Sequence, residues 1–409
     1  MTIWILAILF VASSVGLGYR QGAIRAAIGF VGILFAAFLA VPIGGIFRAL
    51  LPHIGFHNQA VVWAVSPLIG FVLVRILFEI GAFSVHRKIE WHYKYRVNDL
   101  QLTLWERLNH RLGACLGVLN GIAYFVLVSF VLFNVSYWTA PIAPSSDEKW
   151  TTRLVNKLGE DLQDTGVSKS ADAVGTLPEM YYQMADLVGL LRQNPQLTTR
   201  LANYPPFISL AERDDIQQAG QDGGFTNAWY SGAPMSDLMA TSPGQSLLNN
   251  QDLIHLVWGI VQTNYADLTN YLVTGQSAKY GADKFFGKWE FNPGTTVAMI
   301  VQARPTITTA EMKAARVWMA KAYAQTKLVV ASDNQAFLEN LPDVSKMQPN
   351  QPIPADTWKG TWAEDGTNYD LTLTSNGQNN KFMTAQTDGS RLTLMDGHQS
   401  YFFDRVEQF

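Results

Sequence analysis

Charged side chains are scarce in the first 140 residues, so those inside apolar runs set the chemistry worth testing. Arg75 and Glu79 stand four residues apart within Ala60–Val85, on one face of a helix. Inside a bilayer such a pair marks a solute or proton path, or a self-neutralised couple whose long stems reach the interface. A helix entering at Ala60 and rising ~1.5 Å per residue puts Arg75 about 22 Å deep, nearer the far interface than the midplane. Both readings stay open. Gly113, Gly117 and Gly121 form a second pattern, a GxxxGxxxG ridge. Its chemistry is packing: the missing side chains let another helix approach closely, from the same chain or another.

Residues 141–409 offer little for catalysis. Their only histidines are His255 and His398. No serine lies in a G-D-S-G or G-x-S-x-G setting, Ser231-Gly232 included, and no H-E-x-x-H spacing or Gly-rich phosphate loop occurs. Asp214-Asp215 and Glu160-Asp161 read as solvated helix faces. We therefore expect no catalytic residues, no metal and no cofactor. A membrane-anchored hydrolase is the third-ranked reading, because similar four-helix membrane parts can carry an external protease.

These residues must be positioned by elements suited to two solvents. The chain has 409 residues, 48% apolar and only 15% charged, with a net charge of −3. Residues 1–140 are 63% apolar, with 10 Lys/Arg against 4 Asp/Glu; the rest carries 20 against 29. That distribution excludes a wholly soluble protein, a disordered chain and a nucleic-acid binder, since the basic excess lies beside apolar spans. A single cysteine, Cys115, excludes a disulfide-built fold. Thr2–Leu17, Ala26–Phe47, Ala60–Val85 and Leu112–Tyr137 are each read as a transmembrane helix.

Lys and Arg concentrate in the first connection (Arg20, Arg25) and the third, which holds six between His86 and Arg111. Both connections should face the cytoplasm, with both termini outside. In the third, Trp91, Tyr93, Tyr95 and Trp105 interleave with the cations, and Leu100, Leu104 and Leu108 recur at helical spacing. It reads as an interfacial anchor or an ordinary loop held by its aromatics.

The run Gly18-Tyr19-Arg20-Gln21-Gly22-Ala23-Ile24-Arg25, followed by a small-residue span, and later Arg111-Leu112-Gly113 with Gly117 and Gly121, resembles the colicin V production protein family. The resemblance covers roughly residues 1–140. It implies a four-helix protein of the bacterial cytoplasmic membrane, tied to envelope homeostasis or secretion and without established enzymatic activity. It also makes Arg20, Gly22 and Arg25 the turn motif. Gln21 stands where members often have arginine.

Beyond the spans, Asp252–Leu272 repeats apolar residues with a 3.6 period and reads as a helix. From Trp358 the pattern changes to period 2, with Asp365-Gly366, Asn376-Gly377, Asp388-Gly389 and Gly397 as turns: a meander of about five strands. Gly287-x-Trp289 echoes Gly360-x-Trp362, each opening a strand with a core tryptophan, and the apolar Thr296–Val301 follows the first. Between them Thr308-x-x-Glu311 caps a helix over Thr309–Ser332. About seven strands result, loosely resembling lipocalin-like barrels, with Trp289 and Trp362 as a plug or as the wall of a ligand cup.

The expected architecture is an α-helical four-span transmembrane bundle (1–140), a helical extracytoplasmic region (141–285) and a β-rich domain (286–409). The β part is a small antiparallel sheet or barrel with a helical insertion at 307–341. The expected function is a non-enzymatic scaffold, or a subunit of a membrane complex in the cytoplasmic (inner) membrane. Its expected partners are the lipid bilayer, further copies or other membrane-complex subunits through the glycine ridge, and envelope proteins through the outer domain; nucleic acid is excluded. The alternative is an oligomeric channel or transport component built on Arg75 and Glu79.

Overall fold

The computed structural model describes residues 2–54, 59–143, 149–169, 177–303, 306–346, 353–375, 380–397 and 399–406. Two compact units emerge: residues 1–189 with 234–236, and residues 190–233 with 237–409.

The first unit is built on four long apolar helices, α1 (Thr2–Gln21), α2 (Ala23–Arg48), α3 (Gln59–Arg96) and α4 (Asp99–Ile142), each long and apolar enough to cross a membrane. Their extensive contacts run in the order α1–α4–α2–α3. Small residues make these contacts close, since in lipid helices associate through packing and hydrogen bonds. A methyl group on Gly70 would lie 2.4 Å from the Ala40 carbonyl oxygen, and one on Gly44 2.5 Å from that of Ser66. A fifth helix, α5 (Trp150–Asp164), packs Leu158 and Leu162 against Ile3. Asp161 Oδ2 accepts the Ile3 amide at 3.2 Å, satisfying a donor that the first turn of α1 leaves open.

The third connection is corrected. Residues 86–96 continue α3 and residues 99–111 begin α4, leaving only Val97 and Asn98 between them. Tyr93 stacks on Trp105 at 5.0 Å, and Leu100, Leu104 and Leu108 line an exposed face of α4. Charge marked the end of the apolar spans but not of the helices, because Lys, Arg, Glu and Leu all favour helix.

In the second unit a run of short helices from Leu197 to Asn249 leads to the helix Gln251–Thr274. The Asn250 side chain caps its start, and Gly275 ends it at φ +79°. The C-terminal part is a closed antiparallel barrel of eight strands in sequence order. These are β1 (Gly287–Phe291), β2 (Lys327–Val330), β3 (Gln335–Pro342), β4 (Ala355–Asp365), β5 (Asn368–Thr374), β6 (Lys381–Thr387), β7 (Arg391–Asp396) and β8 (Gln399–Arg405). Closure pairs Trp289 of β1 with Arg405 of β8.

Strands β4 to β8 match the expected meander, and Gly366, Gly389 and Gly397 take the positive φ its turns need. Asn376-Gly377 and His398 lie outside the described residues. Two expectations fail. Thr296–Val301 lies in a helix, Pro293–Ala303, where Asn292 Oδ1 accepts the Thr295 amide at 2.8 Å and Pro293 opens the first turn. The helix capped by Thr308 and Glu311 ends at Ala322 instead of Ser332, so the segment 307–341 holds one helix and most of two strands. Lys327–Val330 is apolar toward the barrel interior and toward Ile208 at once. Its alternation is thereby erased; with β2 and β3 gained from the segment read as a helical insertion and Thr296–Val301 lost to a helix, the sheet has eight strands in place of about seven.

Candidate functional site

In the first unit, the turn between α1 and α2 meets α4. Gly22 lies at φ +81°, ψ 165°, a region open to glycine and strained for other residues, and the chain reverses there in one residue. This exposes the first amide of α2, and Ala23 N–H donates to Asn109 Oδ1 at 2.8 Å. A Cβ on Gly22 would strike Asn109 Nδ2 at 2.2 Å, so side chain and turn are mutually fitted. His110 Nδ1 donates to the Tyr19 carbonyl at 2.6 Å.

The glycine ridge continues this contact. Methyl groups on Gly113, Gly117 and Gly121 would meet Gly18 O at 2.3 Å, Ser14 O at 2.4 Å and Val11 Cα at 2.7 Å. The ridge therefore receives α1 of its own chain. Of the two partners left open for the ridge, a helix of the same chain occupies it here.

Beside the ridge, where Asn120 and Tyr124 follow Gly113 and Gly117 by seven residues each, a polar cluster on α4 ties three helices. Arg75 of α3 donates through Nη2 to Glu79 Oε1 at 2.5 Å and through Nε to Tyr124 Oη of α4 at 2.8 Å. Arg25 of α2 places Nη2 3.7 Å from Glu79 Oε2 and lies over the Phe83 ring. Asn120 Nδ2 donates to the Ala26 carbonyl at 3.1 Å. Two guanidinium groups thus share one carboxylate, a formal excess of one positive charge. Arg25 Nε, Arg75 Nη1 and Asn120 Oδ1 are buried without a partner. Chemically the cluster neutralises one of its two positive charges and cross-links α2, α3 and α4, and it retains spare donors.

The structure thus brings Arg25, Arg75 and Glu79 together and seats Gly22 beside the ridge. Arg20 is exposed at the end of α1, apart from the cluster. Asn120 and Tyr124 carry no charge to single them out in Leu112–Tyr137, and Asn109 lies among the charged residues of the third connection, where one more polar residue gives no signal. Asn120 and Tyr124, polar and four apart in an apolar span, were the available signal.

In the second unit Trp289 and Trp362 both lie inside the barrel with Trp358, Phe285 and Phe403. The Trp289 indole N–H donates to the Phe285 carbonyl at 3.1 Å and that of Trp362 to the Ala331 carbonyl at 2.9 Å. Phe285 stacks on Tyr369 at 3.9 Å. The interior is packed with side chains, not hollowed into a cup. His255 is exposed, and Asp215 is engaged by Arg213, whose hydrogen bonds hold its carboxyl below the usual range. No group of three or more His, Cys, Asp or Glu residues placed to hold a metal ion occurs among the described residues.

Residues 3–157 match the family profile described as colicin V production protein. The match takes in all four long helices, the Gly22 turn, the glycine ridge and most of α5. No curated protein and no solved structure matches the chain.

Proposed function

We propose, from the similarity of residues 3–157 to the colicin V production protein family, that this chain is a non-enzymatic membrane scaffold or complex subunit. It lies in the bacterial cytoplasmic membrane with both termini outside, and the barrel unit presents a surface to envelope partners. One observation carries this reading: the family's two motifs, the glycine turn and the glycine ridge, clasp each other within one chain through Ala23–Asn109 and Gly18–Gly113. Residues used in this way hold a helical platform together. The Lys and Arg of the first and third connections support the orientation.

Mild detergent extraction followed by mass spectrometry of co-purifying proteins tests the role. Stoichiometric recovery of one or more envelope proteins is expected, and recovery of the chain as a lone monomer under every mild condition overturns it. Single-cysteine labelling of the barrel unit in intact cells tests the orientation, with labelling by a membrane-impermeant reagent expected.

A second reading, a channel or transport component, draws on the uncompensated charge and spare donors around Glu79. It requires several chains around a pore. Reconstituted flux that is insensitive to Glu79→Gln removes it.

A further inference from the structure

Within the second unit, β8 ends on a half-buried guanidinium that has no counter-ion among the described residues. Arg405 lies over the Trp289 ring at 5.1 Å from its centroid. Its Nη2 donates to the carbonyl oxygens of Lys284 and Phe286, and its Nε is buried and unpartnered. Among the described residues no carboxylate lies within ion-pair distance of it. Burial pushes its pKa down, and Asp283 draws it back up from a distance. A partly desolvated cation held by neutral carbonyls and one ring face is costly to keep.

Arg405 faces a cleft of about 360 Å³, the size of a small-solute site. Tyr271, Tyr280 and Phe286 form its aromatic wall, and Asp283 lines it too. Asp283 Oδ1 accepts the Phe285 amide at 2.9 Å and the Tyr369 hydroxyl at 3.4 Å, and Oδ2 has no partner among the described residues. The frame is fixed by Asp267, which accepts from Tyr204, Ser277 and the amides of Ala278 and Lys279. That carboxylate holds the loop after Gly275 in place and is not itself offered to the cleft.

Cation, anion and aromatic wall on one cleft select the chemistry. A guanidinium accepts carboxylate or phosphate, but Asp283 disfavours a doubly charged phosphate. A cationic group beside the carboxylate satisfies Asp283, and a ring fills the aromatic side. We infer that this cleft binds a zwitterionic aromatic α-amino acid, its carboxylate on Arg405, its ammonium toward Asp283 and its ring against Tyr280 and Phe286. The inference is independent of the scaffold reading.

Calorimetric titration of the detergent-solubilised full chain with L-phenylalanine, phenylacetate and phenethylamine tests it. Phenylalanine is expected to bind most tightly, with Kd near or below about 1 mM. Phenylacetate should bind more weakly and phenethylamine weakest. Arg405→Gln should weaken phenylalanine by at least about tenfold. Asp283→Asn should weaken phenylalanine and phenethylamine and spare phenylacetate. Asp283→Asn leaves the guanidinium in place, so its selective effect carries the test if Arg405→Gln fails to fold. No heat with any of the three compounds, phenethylamine binding as tightly as phenylalanine, or equal weakening of all three by Asp283→Asn overturns the assignment.

Discussion

The backbone amide of Ala23 donates to the side chain of Asn109 across 86 residues of sequence, at 2.8 Å. It joins the first residue of α2 to the residue four positions before the glycine ridge. Turn and ridge are therefore one structural device, and changes at either end should act on the same interface.

Asn109→Ala leaves the Ala23 donor open. The expected loss is about 1 kcal/mol, that of an N-cap, seen as a lower thermal midpoint in detergent. Gly22→Ala should cost more, about 1–3 kcal/mol for the backbone region alone, and it adds the collision with Asn109. Equal effects of the two variants would contradict this account.

Gly117→Leu should force α1 from α4, because Ser14 O already lies where a Cβ would go. We expect a lower thermal midpoint, with the oligomer size of the surviving folded fraction unchanged. A changed size with an unchanged midpoint would return the ridge to a role between chains.

Glu79 serves two cations and Arg75 serves one anion, so their removal should be unequal. Glu79→Gln strands Arg25 and Arg75 together, whereas Arg75→Gln leaves Arg25 beside Glu79. Loss on the order of 1–3 kcal/mol is expected for Glu79→Gln, with a smaller loss for Arg75→Gln, as read by thermal unfolding in lipid nanodiscs.

Stability of the second unit should fall as pH rises toward neutrality. Glu339, on β3 beside the bulge between Leu338 and Leu341, lies against Glu212. Burial, then the Glu212 charge, pushes its carboxyl up to about 7, against the pull of Lys288 and Lys327. Lys288 Nζ holds Glu212 Oε1 at 2.7 Å, and Gln217 faces its other oxygen. Lys327 is shared with Glu290. The folded pair keeps a proton that the unfolded chain releases near 4.5. Stability is thus fully present below that value and declines as pH rises to about 7. Denaturant midpoints at acidic and mildly alkaline pH should diverge for the native chain and converge for Glu339→Gln.

Local order was legible in the sequence wherever one residue type decides one local question. Apolar length located the four long helices, Thr308 and Glu311 located a capping box, and Gly366, Gly389 and Gly397 located hairpin turns. It failed where a segment is apolar on both faces, as at Lys327–Val330, or where a cap precedes a short apolar run, as at Asn292 before Thr296–Val301. Of the candidate site, the charges Arg25, Arg75 and Glu79 and the glycines were visible. Asn120 and Tyr124 marked α4 as carrying polar groups, but their partners, and the bond from Ala23 to Asn109, depend on neighbours far along the chain.

The sequence by itself determined which segments prefer lipid, which turn, and which are amphipathic, since burial preference and backbone freedom belong to each residue. Only the tertiary structure decided that α1 fills the glycine ridge, that Glu79 lies between two arginines from different helices, and that β8 returns to β1 to close the barrel over Trp289. Those are pairings between residues far apart in the chain. Many partners satisfy the same local preferences, and close packing of the whole selects among them.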